Sequence, residues 1–391
     1  MTLLPLVEPA AELSREEVNR YSRHLLIPDI GVLGQRRLKN ARVLVIGAGG
    51  LGSPTLLYLA AAGIGTLGVI DFDRVDESNL QRQVIHSVDT LGELKAESAR
   101  QAIARLNPLV KVHTHTERLE ADMAVELFSG YDLILDGTDN FATRYLVNDA
   151  CILADKPYVW GSIFRFEGQA SVFWENAPGG RGLNYRDLYP PEPPPPELAP
   201  SCAEGGVLGV LCAAIASIMA TEAIKLLTGI GEPLLGRLMV YDALQMSYRE
   251  LPLRRLPQRQ PVTALGDYQA LCGLDRPAAS DAAPVPQISA VQLKSLQDAG
   301  RAPVIIDVRE PTEWDIVRID GAVLMPKSAQ VATQIVERYG HDTDLVITCK
   351  SGMRSKAVAG DLQRLGHGRV RDLQGGVLAW VREVEPALPS Y

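Results

Sequence analysis

Short apolar runs alternate with longer helix-compatible stretches along the first two thirds of the chain. Three of these runs, residues 43–46, 67–70 and 133–135, have the length of buried strands. Regular alternation of strands and helices predicts a doubly wound α/β sheet. At the N-terminal end, Ser14 and Glu17 have the spacing of a capping box, which predicts that a helix begins directly after Ser14.

Two stretches interrupt this pattern. Residues 190–200 contain seven prolines in eleven positions, which excludes helix and central strand and favours an exposed polyproline-like segment. Residues 254–286 mix Pro, Gln, Ala and Asp without periodicity, as a linker does. Beyond them, residues 304–306 and 345–347 are short apolar strands among helices. The chain is therefore expected to form one α/β domain over residues 1–253, a linker over 254–286 and a smaller α/β domain over 287–391.

Composition narrows the class of protein. Hydrophobic residues make up 46% of the 391 residues, charged residues 22%, and the net charge is −8, so nucleic acid is not an expected partner. The longest apolar run, residues 207–220, is too short to span a bilayer and is interpreted as a buried helix. Residues 1–12 lack the pattern of a signal peptide, and five scattered cysteines argue for a reducing cytoplasm.

A glycine-rich turn follows the first apolar run and opens a helical pattern. Backbone N–H groups at such a turn, together with the helix dipole, can hold phosphate groups. The motif predicts a nucleotide site but does not distinguish NAD from ATP. Its residues are Gly47-Ala48-Gly49-Gly50-Leu51-Gly52.

The polar segment after the second strand favours ATP. Asp71 closes that strand, where a carboxylate suits the ribose hydroxyls of either nucleotide. The donors that follow, Asn79, Arg82 and Gln83, suit a triphosphate, whereas a hydride-transfer site does not need them.

With Lys95 and Asp136-Gly137-Thr138-Asp139-Asn140, this segment resembles the MoeB/ThiF family, bacterial relatives of ubiquitin-activating enzymes, over residues 14–253. Attack of a carboxylate on an α-phosphate brings negative charges together, and magnesium and cationic side chains must offset that repulsion. We expect Asp139 to hold Mg²⁺ while Arg82 and Lys95 hold phosphate oxygens. The resemblance implies the same roles and places Asp71 and Asn79 on the nucleotide, beside Gln83 and Asn140.

Arg23 matches an N-terminal arginine that, in this family, reaches into the site of the partner subunit. The resemblance therefore implies a homodimer. Without it, an arginine on a solvated helix face is the alternative interpretation.

A second candidate site surrounds Cys349, which follows an apolar strand and precedes a helix-compatible run at 356–365. Backbone N–H groups and a helix N-terminus around the thiol favour its thiolate. Lys350 and Arg354 add positive charge for an anionic sulfur donor such as thiosulfate. Protein phosphatases also place Cys and Arg on an anion-binding loop, but with five residues between them. Here four residues intervene, and the shorter loop is better suited to hold a single sulfur atom than a phosphate group.

From about residue 287 the chain resembles a rhodanese domain, which implies that Cys349 carries a persulfide. Arg318 stands where that family usually has histidine. The motifs that agree are Asp307-Val308-Arg309, Glu313-Trp314, Gly321-Ala322 and Gly375-Gly376-Val377-Leu378-Ala379-Trp380.

The other cysteines divide into two groups. Cys202 follows the proline-rich segment, and a thiol on a crossover loop there is either a second thiol in sulfur transfer or a passive one. Cys151, Cys212 and Cys272 are expected in the core.

Many members of the ThiF-like family bind a structural zinc through two Cys-x-x-Cys pairs. Here residues 184–187 contain no cysteine and residues 269–272 contain only Cys272. A tetrahedral site needs four ligands, so no zinc is expected.

The two resemblances together imply an adenylyltransferase and sulfurtransferase that uses ATP and Mg²⁺. Its substrate would be a ubiquitin-like sulfur carrier ending in Gly-Gly, of the MoaD, CysO or ThiS type, and its sulfur donor thiosulfate or a cysteine desulfurase. Two alternatives remain at this point: an NAD oxidoreductase with an appended rhodanese domain, or a docking module with one silent domain.

Overall fold

The computed structural model describes residues 3–189, 206–268 and 285–391. It divides into two compact units, Met1–Arg276 and Pro277–Tyr391. The proline-rich segment 190–200, Cys202 and Cys272 lie outside the described residues, as do residues 269–284 of the expected linker. The domain boundaries stay a prediction.

The first unit is built on an eight-stranded sheet with the order β3-β2-β1-β4-β5-β6-β7-β8. Strands β1 to β5 pair in parallel with one another, whereas the pairs β5–β6, β6–β7 and β7–β8 are antiparallel. The strands are β1 (Arg42–Ile46), β2 (Thr66–Ile70), β3 (Lys111–His115), β4 (Leu133–Asp136), β5 (Tyr158–Phe164), β6 (Glu167–Phe173), β7 (Arg237–Asp242) and β8 (Ser247–Pro252).

Helices surround this sheet and confirm the expected α/β class. The capping box is present: the Ser14 N–H donates to Glu17 Oε2 over 2.6 Å, and the Glu17 N–H donates to Ser14 Oγ over 3.2 Å. The helices are α1 (Arg15–Arg20), α2 (Ser22–Leu25), α3 (Gly31–Asn40), α4 (Gly52–Ala62), α5 (Lys95–Leu106), α6 (Ala121–Ser129), α7 (Phe141–Leu153) and α8 (Gly209–Thr228).

Helix α8 departs from expectation in length. The apolar run was expected to be too short for a bilayer, but the helix continues to Thr228 and is long and apolar enough to cross one. The expectation of a buried helix is confirmed, because α8 contacts α4, β5 and β6 and more than half of its most apolar stretch is buried. Buried Glu222 accepts a hydrogen bond of 2.7 Å from the Leu234 N–H.

The second unit has a five-stranded parallel sheet with the order β11-β10-β12-β13-β9, and apolar side chains pack on both of its faces. The strands are β9 (Gln287–Ile288), β10 (Val304–Asp307), β11 (Val323–Leu324), β12 (Leu345–Thr348) and β13 (Val370–Leu373). The helices are α9 (Ala290–Asp298), α10 (Pro311–Ile316), α11 (Val331–Tyr339), α12 (Met353–Arg364) and α13 (Gly376–Glu383).

The order of the strands indicates where a ligand binds in the first unit. β1 lies between β2 and β4, so the chain leaves β1 toward one edge of the sheet and later returns to its other side. In open parallel sheets, ligands bind at the carboxyl ends of the strands where the order reverses in this way.

Candidate active sites

A cavity of about 520 Å³ opens at the carboxyl ends of β1, β2 and β4. The structure brings together there most of the residues expected to bind nucleotide. Those that line the cavity are Gly47, Gly49, Gly50, Asp71, Arg82, Gln83, Lys95, Asp139 and Asn140.

Two glycines give the loop after β1 its shape. Gly47 has φ +87°, which L side chains rarely adopt. A Cβ on Gly52 would lie 1.8 Å from the carbonyl oxygen of Gly47, so no side chain fits there. Gly52 therefore shapes the loop and begins α4. In the first turn of this helix the Ser53 N–H donates to the Gly49 carbonyl oxygen over 2.9 Å, and Pro54 has no N–H.

Asp71 and His86 fix this loop by bonding to the two backbone groups of Ala48. Asp71 Oδ2 accepts a hydrogen bond of 2.8 Å from the Ala48 N–H, and His86 Nε2 lies 2.9 Å from the Ala48 carbonyl oxygen. Burial lowers the pKa of His86, which favours the neutral ring. The carbonyl oxygen of Ala48 can only accept, so the neutral ring donates to it from Nε2, while Nδ1 lies 2.8 Å from Ser98 Oγ. Sequence analysis missed His86, which is 38 residues from Ala48.

Four cationic side chains line the cavity, Arg82, Lys95, Arg118 and Arg144, of which the first two were expected there. Lys95 is buried at 6% exposure, and its Nζ lies 3.0 Å from Asp73 Oδ2. Arg82 is half-buried and donates from Nη1 to the Ser78 carbonyl oxygen over 2.9 Å. Beside them, Gln83 is buried, and its Oε1 has no hydrogen-bond partner among the described residues. The cavity therefore offers positive charge and an amide group to a polar ligand.

The turn after β4 presents Asp139. Asp136 is fully buried. Its Oδ1 accepts two hydrogen bonds from Thr138, one from the N–H over 2.9 Å and one from Oγ1 over 2.7 Å. Asn140 caps α7 by accepting from the Thr143 N–H over 2.9 Å. These local bonds fix the turn around Asp139, which is exposed at the cavity.

Three expected site residues lie outside the lining of this cavity: Gly52, which shapes the loop, Asn79 and Arg23. Asn79 Oδ1 accepts from the Asp76 N–H over 3.2 Å, and so its side chain stabilises the short 3₁₀ turn Glu77–Asn79. Arg23 is exposed on α2. Their predicted contacts with the nucleotide stay predictions.

In the second unit, Cys349 lies directly after β12 and is buried. Its Sγ accepts from the Gly352 N–H over 3.2 Å and lies 3.3 Å from Ser355 Oγ. Gly352 has φ +102° and directly precedes α12. The sulfur atom therefore lies at a helix start, within reach of one backbone N–H and one hydroxyl group.

Arg354 was expected to supply charge to an anionic donor. Instead it donates to both carboxylate oxygens of Glu313, each over 2.7 Å, and Glu313 also accepts from Tyr391 Oη over 3.0 Å. Burial is the largest single influence and would raise the pKa of Glu313, but the hydrogen bonds from Arg354, the Glu310 N–H and Tyr391, together with the charge of Arg354, outweigh it and the pKa is lowered. The charge of Arg354 is thus largely compensated within the protein.

Cys151 and Cys212 are buried, as expected, with exposures of 2% and 1%. Within the described ranges, no group of three or more His, Cys, Asp or Glu side chains is arranged to hold a metal ion. Residues 269–272 lie outside those ranges, so the absence of zinc stays a prediction.

Comparison with known proteins separates the two units. Residues 21–262 match the ThiF family, and residues 289–383 match the rhodanese-like domain.

Two relatives illustrate the similarity. The chain is 60% identical over 390 residues to a probable adenylyltransferase/sulfurtransferase MoeZ of Mycobacterium tuberculosis, covering 100% of this chain and 99% of that one. It is 51% identical over 269 residues to a sulfur carrier protein adenylyltransferase of Thermus thermophilus, covering 67% and 98%.

Among solved structures, E. coli MccB with ATP resembles this chain with a TM-score of 0.52 and 23% identity, covering 63% of this chain and 75% of that one. At this identity the likeness supports the fold alone.

Proposed function

The chain belongs to the ThiF family and carries a rhodanese-like domain, and we propose that it adenylates the C-terminal carboxylate of a ubiquitin-like sulfur carrier and then converts it to a thiocarboxylate. It is accordingly an adenylyltransferase and a sulfurtransferase, like its full-length relatives. The observation that carries the proposal is the meeting of the glycine loop, Arg82, Lys95 and Asp139 at one cavity, in a chain that also holds a thiol at a helix start.

In the first step, a carrier carboxylate oxygen attacks the α-phosphorus of ATP. The new bond between the carboxylate oxygen and the α-phosphorus makes a mixed carboxylic–phosphoric anhydride, the bond from the α-phosphorus to the oxygen that bridges it to the β-phosphorus breaks, and pyrophosphate leaves. Arg82 and Lys95 would hold the phosphate oxygens whose charge grows in this step. The product is an acyl-adenylate, whose AMP is a better leaving group than the original oxygen.

Magnesium fits the donors at this cavity. Proteins hold Mg²⁺ through one or two carboxylates together with substrate phosphates, so the exposed carboxylate of Asp139 is a sufficient protein ligand. When bound, the ion would neutralise phosphate charge during the displacement.

The second step supplies sulfur. The Cys349 thiolate attacks the outer sulfur of a donor such as thiosulfate, sulfite leaves, and Cys349 becomes a persulfide. The persulfide attacks the acyl-adenylate and displaces AMP, which gives an acyl disulfide. A second thiolate then attacks Cys349 Sγ and releases the carrier thiocarboxylate. Cys202 is our candidate for that thiol. A dithiol reductant then reduces the disulfide formed between it and Cys349, which regenerates both thiols.

Two further parts of the proposal follow from family membership. The protein acts in the cytoplasm as a homodimer in which Arg23 reaches the partner subunit's cavity. Its carriers are of the MoaD, CysO or ThiS type, and thiosulfate or a cysteine desulfurase supplies the sulfur.

The decisive experiment is the intact mass of a Gly-Gly-terminated carrier after incubation with the protein, Mg-ATP and thiosulfate. We expect a mass gain equal to replacement of one oxygen by sulfur. D139A should abolish both adenylate and thiocarboxylate, whereas C349A should still form adenylate and pyrophosphate but add no sulfur. No change with any carrier, together with tight NAD binding, would favour the oxidoreductase alternative.

A further inference from the structure

Residues 254–268, called the strap here, follow β8 and were expected from their composition to be linker. Instead they pack against the first unit. The side chain of Arg259 is only 4% exposed, and Tyr268 is 7% exposed. Burial of a charge and of a tyrosine at two points shows that the strap is part of that unit's structure.

Arg259 forms the first attachment of the strap. Its Nη2 donates to both carboxylate oxygens of Glu175, over 2.6 and 2.5 Å, and its Nη1 bonds to Asp187. Asp187 also accepts from the Leu256 N–H over 2.9 Å. One buried guanidinium thus joins the buried carboxylate of Asp187 to the half-buried carboxylate of Glu175. Glu175 also pairs with Arg255 over 3.2 Å, so removal of Arg259 would leave Asp187 without its counter-charge.

Tyr268 forms the second attachment. Its hydroxyl donates to Asp149 over 3.0 Å, and Asp149 is bonded to Arg186 at 2.6 and 3.1 Å. Arg186 and Asp187 belong to the same 3₁₀ turn, Tyr185–Asp187. A single turn therefore holds the strap at both of its attachments.

Between these attachments and the nucleotide cavity there is direct continuity. Gly266, Asp267 and Tyr268 line the same cavity as Gly47 and Asp139. The far end of the strap is thus one wall of the cavity.

We propose that the strap is part of the nucleotide site and that Arg259 is a positioning residue for it. The inference rests on the proposed function, because it takes ATP as the ligand of the cavity. With Arg259 in place, the wall at 266–268 is formed before ATP arrives. Without it, the buried carboxylate of Asp187 draws in water and the strap is held less firmly, so ATP binding must reorder the wall at the expense of affinity.

The first test is calorimetric titration of the full chain with Mg-ATP and without carrier. R259M should weaken ATP binding about tenfold, R259K should restore part of the affinity, and Y268F should weaken binding about threefold. R254M is the matched control, since Arg254 is an exposed arginine of the same strap, and its affinity should match the wild type.

These outcomes separate the two proposals. If the wild type does not bind ATP, both fall. If R259M, R259K and Y268F bind ATP as the wild type does, only the strap inference falls. A loss of thermal stability in R259M without a change in ATP affinity would likewise overturn it, since a purely structural attachment behaves in that way.

A second test asks whether ATP covers the strap directly. An ideal Cβ on Gly266 meets no atom within 4 Å, so G266C should fold normally. Mg-ATP should slow alkylation of that cysteine, read by peptide mass, and R259M should remove the protection. Equal alkylation with and without bound ATP would show that the strap does not border the ligand.

Discussion

The guanidinium of Arg354 is bonded to both carboxylate oxygens of Glu313, at 2.7 Å each, immediately beside the loop that carries Cys349. Glu313 lies on α10 and Arg354 on α12, so the pair joins two helices of the second unit. A planar, doubly bonded pair of this kind fixes the direction of the arginine side chain. Arg354 therefore links the Cys349 loop to α10.

This pair makes the stability of the second unit depend on pH in the acidic range. The pKa of Glu313 is lowered in the folded protein, so its contribution is complete above the unfolded value near 4.5 and is lost as the pH falls through the folded value. We expect E313Q to lose about 3 kcal/mol at pH 7 and to respond less to acid below about pH 5. Hydrogen exchange of peptides from α10 and α12 at pH 7 and pH 4 measures both effects.

E337Q is the control for E313Q, since Glu337 is an exposed glutamate of the same unit. Its exchange should follow the wild type at both pH values. Equal protection in E313Q and wild type at pH 7 would show that the pair contributes nothing to stability.

Asp139 should be required for adenylation and not for the transfer of sulfur from thiosulfate to cyanide. D139N should reduce carrier-dependent pyrophosphate exchange by about 100-fold or more, because phosphate charge is then poorly compensated. Its thiosulfate–cyanide turnover should stay at the wild-type rate, since Asp139 and Cys349 belong to different units. Parallel loss of both activities would indicate unfolding, and unchanged exchange would exclude the assigned role.

The glycine loop provides a steric comparison within one motif. G52A places a Cβ 1.8 Å from a backbone oxygen and should destabilise the first unit by more than about 3 kcal/mol. G49A places its Cβ 3.8 Å from Gln83 Nε2, an ordinary contact, and should cost about 1 kcal/mol or less. Denaturant titration of both variants checks the difference, which similar midpoints would contradict.

The predicted role of Arg23 can be tested by subunit mixing. If Arg23 completes the partner subunit's cavity, R23A and D139A are each inactive, but a mixed dimer holds one intact site. Unfolding and refolding equal amounts together should restore roughly a quarter of wild-type pyrophosphate exchange. Failure to regain activity, in a mixture that does form mixed dimers by mass spectrometry, would exclude an intersubunit role.

The position of the first site could be predicted from the sequence because local order determines it. Asp71 and Asp139 each come directly after a strand or one turn beyond it, and parallel strands end at the same edge of the sheet. Lys95, at the start of α5, reaches the same cavity. Their meeting requires only that the strands pair in the expected order.

Contacts between distant parts of the chain were not predictable in this way. Glu313 and Arg354 are 41 residues apart, and neither has a local pattern that selects the other. The sequence of the strap has no periodicity, because the strap is attached by a few specific charged contacts and not by a repeating apolar face. Composition alone therefore classified residues 254–268 as linker.

The attachment of the strap limits how the two activities can be separated. A fragment ending at residue 253 would contain every strand of the first sheet, yet it would lack Arg259 and the residues at 266–268. Such a fragment would be a complete scaffold with an open-sided pocket, and low activity in it would be mistaken for dependence on the missing rhodanese-like domain. The two halves are not interchangeable modules, because the chain that leads from one to the other first serves as part of an active site.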